Sequence, residues 1–288
     1  MGLTVILYAF LHVIAKSEVG VFPSMYVTAL RVAFAFLAFI PFLVINKPWR
    51  KKNFPQLLIT SLFAAVNLIF FMYGIEYTTA SVSQLVYAVL PILTIIVSII
   101  LFKEKFSPVR ILGVIIGFIG IIYIFYLSLI EKGQTITGSF TGNMLISIAM
   151  VSWLTHILLS KKISRFFSPV EIGSITSLVT LILVIPLAFL QLKNRNYFLN
   201  LTPNLLLGTF YMGFFGTFLT WILIQYAVRK LSYLTVNLTS YIQPVATTIM
   251  AVIILKEKLS VNFITGSLLI FTGVFLTATW EIYRRTRS

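Results

Sequence analysis

The sequence has 288 residues, of which 59% are hydrophobic and only 10% are charged, and its mean hydropathy is +1.01. A soluble core of this size does not require repeated apolar runs of about 20 residues, the length that crosses the ~30 Å hydrocarbon of a bilayer. The net charge of +15 would indicate nucleic-acid binding in a soluble chain, but here the basic residues lie in short loops between apolar runs. The absence of cysteine excludes disulfides and thiolate metal sites.

Apolar runs follow one another along the chain and predict an all-α integral membrane protein with ten transmembrane helices. The first run, Gly2 to Ala15, is short for a span at ~1.5 Å per residue. A cleaved signal peptide is the alternative, but no basic segment precedes the run and its end is a poor cleavage site. We therefore favour a first helix shortened at its N-terminus. The later runs cover residues 22–45, 54–75, 80–102, 108–128, 143–160, 170–191, 203–228, 232–255 and 261–281.

The chain contains an internal duplication. The stretch from Gln84 to Gly120 returns, shifted by 153 residues, as Asn237 to Gly273, and the match includes a proline and the charged turn Lys-Glu-Lys. At the front of each half the shift is 145 residues, which places Lys16 on Lys161. This self-similarity predicts two five-helix repeats, residues 1–137 and 138–288, within one membrane domain.

The basic residues predict an orientation. With the N-terminus in the cytoplasm, the inner segments hold fifteen basic residues and the outer segments six, an arrangement that the positive-inside rule favours. Because five helices per repeat is an odd number, the second repeat must be inverted relative to the first. Inverted repeats are typical of alternating-access transporters, in which the substrate site lies near the midplane between the repeats.

Polar residues inside the runs predict a candidate site. On the fourth helix Gln84, Tyr87, Pro91, Thr94 and Ser98 step by three and four residues, so they share one face. Polar groups in hydrocarbon need a partner or water, so this stripe and its copy predict the lining of a shared cavity. Packing between helices through small polar residues is the alternative. The central prolines, Pro91 and Pro244, are predicted hinges. The copy on the ninth helix comprises Asn237, Ser240, Pro244, Thr247 and Ala251, flanked by Tyr241 and Gln243.

Further candidates lie on the third, sixth and eighth helices. The tryptophan on the sixth helix is equally explained as an interfacial anchor. The two histidines, His12 and His156, are predicted near opposite mouths of the bundle, where each either carries a proton or is paired structurally. Arg31 lies well inside the second run, and for it we favour pairing with helix-end carbonyls over substrate binding, although an intramembrane charge is a functional candidate. The remaining candidate site residues are Asn67, Trp153, His156, Thr220 and Trp221, with Gln225 beside them.

Each repeat ends in a glutamate followed by two glycines, namely Glu104, Gly113 and Gly120 in the first and Glu257, Gly266 and Gly273 in the second. This pattern resembles the end of the repeat in the drug/metabolite transporter superfamily, EamA type. Ala29-Leu30-Arg31 resembles that family's arginine-bearing second helix, whereas Tyr8-Ala9 replaces the Trp-Gly of its first-helix motif. The resemblance implies two inverted five-helix repeats around a cavity lined by helices 1, 3, 4, 6, 8 and 9. It does not imply a particular solute, because members of that family move amino acids, other metabolites or drugs.

The sequence therefore predicts a secondary transporter that moves a small organic solute across the cell membrane, with export by facilitated diffusion or exchange. No glutamate lies deep in a run, so the carboxylate relay typical of proton pumps is missing. The solute and the lipid bilayer are the expected partners, no cofactor or nucleic acid is expected, and both termini are predicted in the cytoplasm. A monomer is expected, or a weak homodimer through Gly113 and Gly117. The predicted amides, hydroxyls and aromatic rings suit a neutral, zwitterionic or aromatic solute.

Two other classes of protein are alternatives to a transporter. An integral membrane enzyme acting on a lipid-linked substrate would need clustered Asp, His or Cys for metal or acid–base chemistry, and the chain has no Asp, no Cys and two distant histidines. A non-transporting membrane scaffold would not need two duplicated polar stripes. The sequence favours transport over both.

Overall fold

The computed structural model describes residues 2–90, 92–94, 96–97, 108–130, 138–192, 201–230 and 239–285. Within these ranges the chain is helical, with short connections and no β-strand. A helix pairs its interior backbone groups within itself, which a chain in hydrocarbon requires. The helices are α1 (Gly2–Val19), α2 (Ser24–Asn46), α3 (Phe54–Tyr77), α4 (Ala80–Tyr87), α5 (Pro108–Ile130), α6 (Phe140–Ile163), α7 (Pro169–Leu192), α8 (Pro203–Lys230), α9 (Thr239–Ile254) and α10 (Val261–Arg285).

Five of these helices, α2, α3, α6, α7 and α8, are long and apolar enough to cross a membrane. Each has between 23 and 28 residues, which at ~1.5 Å per residue exceeds the ~30 Å of hydrocarbon. Shorter apolar segments lie in α4, α5, α9 and α10. The all-helical membrane class predicted from the sequence is thereby confirmed. That all ten runs cross the bilayer stays a prediction.

Hydroxyl side chains start several of the helices. The Thr79 side chain accepts a hydrogen bond from the backbone N–H of Val82 at the start of α4. Ser139 and Thr202 do the same at the starts of α6 and α8. Each hydroxyl satisfies one of the N–H groups that the first turn of a helix leaves unpaired. These caps define where α4, α6 and α8 begin.

Equivalent helices of the two halves pack against each other and run antiparallel. The pair α5 and α10 approaches closely through glycines, because a Cβ added to Gly273 would touch the Gly113 carbonyl and lie 2.6 Å from the Gly117 Cα. Farther along, a Cβ on Gly266 would lie 2.5 Å from the side chain of Ile124. Residue numbers therefore rise on α5 as they fall on α10. The small-residue pair predicted from Gly113 and Gly117 packs within the chain.

Two other antiparallel pairs complete the frame around the centre. At one end of α2 and α7, the Gln191 side chain accepts a hydrogen bond of 2.8 Å from the backbone N–H of Met25. At the other end of this pair, Gly173 packs closely against the ring of Phe39. α3 and α6 also pack along their length, and α9 lies against both α1 and α4. The frame thus alternates helices from the two halves.

Two lysines make equivalent contacts in the two halves. Lys16, in the last turn of α1, donates to the carbonyls of Ile75 and the next residue at the end of α3, at 2.9 and 3.2 Å. Lys161, in the last turn of α6, donates to the carbonyls of Val228 and the next residue at the end of α8, at 2.6 and 3.4 Å. The duplication maps each donor and each acceptor onto its counterpart. Each ammonium pairs carbonyls that a helix leaves unpaired at its C-terminus.

We expect Lys16→Met and Lys161→Met each to lower the free energy of unfolding by about 1–3 kcal/mol, because the change leaves partly buried carbonyls without their donor. Lys162→Met is the matched control, since this neighbouring lysine is exposed. The measurement is the detergent melting temperature of the three variants. Unchanged melting for both Lys16→Met and Lys161→Met would show that these contacts do not stabilise the helix ends.

Candidate functional site

A cavity lies at the centre of the frame, between helices of both halves. Its volume is about 80 Å³, several times the ~10–15 Å³ that a single water molecule needs. Helices α1, α2, α3, α4, α6, α8 and α9 contribute to it, so α2 joins the set that the family resemblance implies. The lining residues are Thr4, Tyr8, Leu11, His12, Arg31, Asn67, Leu68, Phe71, Gln84, Tyr87, Leu90, Trp153, Ile157, Trp221, Ile224 and Gln243.

Much of the lining comes from positions that the duplication relates. At five positions of one half, both the residue and its counterpart in the other half lie on the cavity wall. The side chains of each pair differ, so the two sides of the wall have similar shapes and different chemistry. The related pairs are Tyr8 and Trp153, His12 and Ile157, Leu68 and Trp221, Phe71 and Ile224, and Leu90 and Gln243.

Half of the sequence-predicted site residues lie in this lining. Gln84 and Gln243 present side-chain amides that have no hydrogen-bond partner among the residues that the structure describes. The Asn67 amide donates to the Tyr87 hydroxyl and, at 2.8 Å, to the Ala149 carbonyl, so both groups are held in fixed positions on the wall. The predicted residues found here are Asn67, Gln84, Tyr87, Trp153, Trp221 and Gln243.

The structure places the predicted threonines outside the lining. Thr94 donates to the Leu90 carbonyl at 2.8 Å, and Thr220 donates to the Gly216 carbonyl at 2.7 Å. Each hydroxyl is satisfied by the turn that precedes it, and the side chain is buried between helices. Thr247 is fully buried, and its hydroxyl has no partner in the described part of the chain. For these positions the packing alternative describes the structure.

His156 also lies outside the lining, behind the wall. Its Nδ1 is 2.9 Å from the Thr60 carbonyl, which only accepts, so Nδ1 carries the proton and Nε2 accepts from the Gln225 amide at 2.9 Å. The ring stacks on Trp153 with centroids 5.3 Å apart. His156 is therefore a paired imidazole that positions the indole of Trp153 on the wall.

Of the four remaining predicted positions, the structure describes one in full. Pro91 and Asn237 lie outside the described residues, and the side chain of Tyr241 does too. Pro244 lies inside α9, in agreement with its place on the predicted helix. Its role as a hinge stays a prediction.

Arg31 is the cation of the cavity. Its side chain is only 3% exposed. Nε donates to the Thr217 hydroxyl at 2.9 Å, and Nη1 lies 3.9 Å from the Met72 sulfur, a weak acceptor. Within the described ranges no carboxylate approaches the guanidinium, and Nη2 has no hydrogen-bond partner. The pairing with helix-end carbonyls that the sequence favoured is wrong, because the side chain reaches a hydroxyl on α8 instead.

A π-helical turn in α8 holds the partner of Arg31. Residues Phe214–Leu219 form this wider turn, in which Thr217 donates to the carbonyl five residues earlier, that of Met212, at 2.8 Å. Such turns occur frequently at functional sites. Next to it, a Cβ on Gly213 would lie 2.5 Å from the Arg31 carbonyl. The glycine thus lets α8 approach the backbone of α2 at the level of the arginine.

The first helix contributes a histidine to the wall. His12 Nδ1 lies 2.6 Å from the Tyr8 carbonyl, so Nδ1 carries the proton and Nε2 is free to accept. The ring also contacts Phe71 edge to face, with centroids 4.9 Å apart. The sequence placed His12 at a mouth of the bundle, and the structure places it in the cavity lining.

Contacts between the halves close the bundle at opposite ends of α3. At the end of α3, the Glu257 carboxylate accepts hydrogen bonds from the backbone N–H groups of Ala80 and Ser81 and from the Ser81 hydroxyl, at 2.9, 3.3 and 2.6 Å. Near the start of α3, Lys51 forms an ion pair of 2.7 Å with Glu171. Both contacts bind a turn of one half to a helix start of the other.

The sequence interpretation left Thr4, Tyr8, His12 and Arg31 out of the predicted site. The duplication contains the signal for one of them. Tyr8 falls on the candidate Trp153, whereas His12 falls on Ile157, which was not a candidate. Mapping every candidate onto its counterpart would therefore have selected Tyr8 but not His12. Thr4 and Arg31 have counterparts outside the lining, so the duplication gives no such signal for them.

The fold and the cavity can now be compared with known proteins. The EamA-like transporter family model matches residues 1–126 and 140–279. The chain belongs to the EamA-like transporter family. It is therefore a multi-pass membrane transporter, and the resemblance found in the end-of-repeat glutamates and glycines is confirmed.

Similar proteins agree with this family. An uncharacterized transporter of Archaeoglobus fulgidus is 21% identical over 96% of this chain and 96% of its own length. The uncharacterized transporter YetK of Bacillus subtilis is 26% identical over 79% of this chain and 71% of its own. One solved crystal structure superimposes with a TM-score of 0.64 at 17% identity, covering 100% of this chain and 99% of that one, which shows a shared fold.

We expect Thr247→Val in this EamA-like protein to keep transport and to keep or raise the melting temperature, because valine removes a buried hydroxyl that lacks a partner. The expected gain is at most about 1 kcal/mol. Thr180→Val is the matched control, since its equally buried hydroxyl donates to the Thr176 carbonyl at 2.7 Å and its loss should not stabilise. Lost transport with unchanged melting in Thr247→Val would place that hydroxyl on the solute path.

Proposed function

We propose that this EamA-like protein moves a small organic solute across the cell membrane by alternating access, with the central cavity as the solute site. The observation that carries the proposal is the cavity wall itself, which both halves build from duplication-related positions. A site on the boundary between two similar bodies is exposed to one side or the other when the bodies rock. Such a site serves transport in either direction, and export is the direction proposed from the sequence.

The antiparallel packing supports an inverted repeat, with residues 1–137 and 138–288 as its two halves. Equivalent helices of a parallel repeat point the same way, whereas α5 and α10 point in opposite directions. The two lysine contacts belong to the same pattern, because each joins the first helix of a half to the end of its third helix. The excess of basic residues in the inner segments supports cytoplasmic termini.

The contacts that close the bundle supply two barriers to the solute. Glu257 binds the start of α4 at one end, and the Lys51–Glu171 ion pair lies toward the other. Val13, Ala80 and Ala251 are buried together beside Glu257 and exclude water there. Because each barrier joins the two halves, rocking opens one barrier while the other stays closed.

The chemistry of the wall favours facilitated diffusion or exchange over proton-driven transport. Among the described lining residues none is acidic, so the wall offers no carboxylate relay. His156 is paired behind the wall, and His12 is the titratable imidazole on it. The same lining favours transport over the enzyme and scaffold alternatives, because it combines a cavity large enough for water with amides that make no hydrogen bond within the described residues.

Topology gives a first test of this proposal. The chain is naturally free of cysteine, so single substitutions Lys105→Cys and Lys258→Cys each provide one reactive thiol. We expect an impermeant thiol reagent to label the two variants from opposite sides of the membrane, since these positions are duplication partners. The unmodified chain is the control for background labelling. Labelling of both variants from the same side would overturn the inverted repeat.

Flux gives a second test, by counterflow of radiolabelled amino acids and related organic acids into proteoliposomes. We expect Gln84→Leu to reduce transport at least about tenfold with little change in melting, because it removes a polar group worth roughly 1–3 kcal/mol from the wall. Gln225→Leu is the matched control, since this amide serves His156 behind the wall, and its loss should lower the melting temperature. Flux should also persist when an uncoupler collapses the proton gradient.

Normal flux in Gln84→Leu would place the solute path elsewhere. Loss of concentrative flux with the uncoupler, together with loss in His12→Gln, would show proton coupling through that histidine. If no solute moves in any proteoliposome while labelling still reports an inverted repeat, the transport proposal fails and the fold assignment stands.

A further inference from the structure

We propose that the cavity of this transporter selects solutes that carry a single carboxylate on an aromatic or apolar body, and that Arg31 binds the carboxylate. The proposal rests on the proposed function, since it names the class of solute for the same cavity. It differs from the expectation drawn from the sequence, which favoured a neutral or zwitterionic solute. The difference arises because the structure places the arginine in the wall.

The first step is the state of the guanidinium. Removing a cation from water costs free energy that only an anion or several hydrogen bonds offset. For Arg31 the described residues supply one hydroxyl, that of Thr217, and one weak sulfur acceptor, that of Met72. Arg31 lines the cavity, and its Nη2 group has no protein acceptor in those ranges. The Nε–H group thus holds the arginine against Thr217, and the Nη2 donors remain available for a ligand.

The second step is the charge of the wall. The described lining contains Arg31 and no acidic residue. A guanidinium presents two parallel N–H groups that match the two oxygens of a carboxylate, so an anion gains charge-assisted hydrogen bonds. A cation would be repelled. An ammonium group would find no carboxylate on the wall, and a second carboxylate would find no second arginine. One negative charge is therefore the favoured complement.

The third step is the body of the solute. Around the arginine the wall carries large apolar and aromatic surfaces, including Phe71, Trp153 and Trp221. Aromatic rings and aliphatic chains leave water favourably for such surfaces. His156 stacks on Trp153 from behind, so that ring is held in place before a ligand arrives. A short aromatic carboxylate is chemically complementary to both parts of the wall.

The arginine is also held in position. Its Nε bond fixes the guanidinium plane against Thr217, which the π-helical turn of α8 orients. The close approach at Gly213 sets the distance between α2 and α8 at this level. Because α2 belongs to the first half and α8 to the second, the Arg31–Thr217 bond crosses the boundary on which the halves rock. A bound carboxylate therefore lies at this boundary.

The test compares ligands that share a phenyl group and differ in net charge. Radiolabelled 3-phenylpropionate is bound to the purified full chain in detergent, and it is competed by the neutral 3-phenylpropanamide, the zwitterion phenylalanine, the cation phenethylamine and the dianion benzylmalonate. We expect 3-phenylpropionate to bind at least about tenfold more tightly than the amide, as a charge-assisted hydrogen bond allows. The zwitterion and the dianion should be weaker than the monoanion, and the cation weakest. This comparison needs no variant.

Variants then assign the preference to the arginine. Arg31→Gln should abolish the difference between the acid and its amide, and Arg31→Lys should restore part of it because the charge returns without the paired N–H groups. Lys162→Gln is the control for loss of a cation outside the cavity, since this lysine is exposed, and it should keep the preference. The melting temperature of each variant shows which variants fold. If Arg31→Gln does not fold, the competition measured on the unmodified chain decides the proposal.

The outcomes separate this inference from the proposed function. If the acid and the amide bind equally, or no member binds, the carboxylate assignment is overturned, whatever the flux of other solutes. A preference that survives in folded Arg31→Gln would overturn the role of Arg31. If the acid binds in an Arg31-dependent way but never crosses proteoliposomes in counterflow, the site assignment stands and the transport proposal fails.

Discussion

The buried guanidinium of Arg31 imposes the strongest constraint on this bundle. A cation far from water destabilises a membrane protein unless acceptors surround it, and the described chain offers only Thr217 and Met72. The π-helical turn contains Thr217, whose hydroxyl accepts a hydrogen bond from Arg31 and donates one to the Met212 carbonyl. Gly213 lies at the point where α8 packs closely against α2. Arg31 also lines the cavity, and we propose that an anionic solute there supplies the missing acceptor.

The duplication provides a symmetric frame, and the substitutions within it provide asymmetric chemistry. Lys16 and Lys161 keep the same contacts in both halves because the ends of α3 and α8 need the same donor. Arg31 has Thr176 as its counterpart, whose hydroxyl bonds Ser61 at 3.0 Å between helices. The lysine contacts of the frame are therefore repeated in both halves, whereas the arginine that we propose to bind the solute occurs in one half only.

Much of the fold was predictable from the sequence, and part of the site was not. Hydrophobic runs locate the helices, since each described run coincides with one, and the glycines locate the α5–α10 contact. Helical spacing placed Gln84 and Thr94 on one predicted face, but spacing does not tell whether a side chain meets water or another helix. Gln84 lines the cavity, whereas Thr94 donates to the backbone of the preceding turn. Likewise Trp221 lines the cavity, whereas the adjacent Thr220 donates to the Gly216 carbonyl.

If the cavity opens to each side of the membrane in turn, as we propose, the thiol of Gln84→Cys in the cysteine-free chain is accessible from both sides. The side chain at this position lies on the wall and makes no hydrogen bond within the described residues. The measurement is the rate of labelling by an impermeant thiol reagent applied to right-side-out and to inside-out vesicles, with and without 3-phenylpropionate. We expect the thiol to be labelled from both sides of the membrane, and we expect 3-phenylpropionate to slow the labelling on each side. Labelling from one side alone under every condition would contradict alternating access through this cavity.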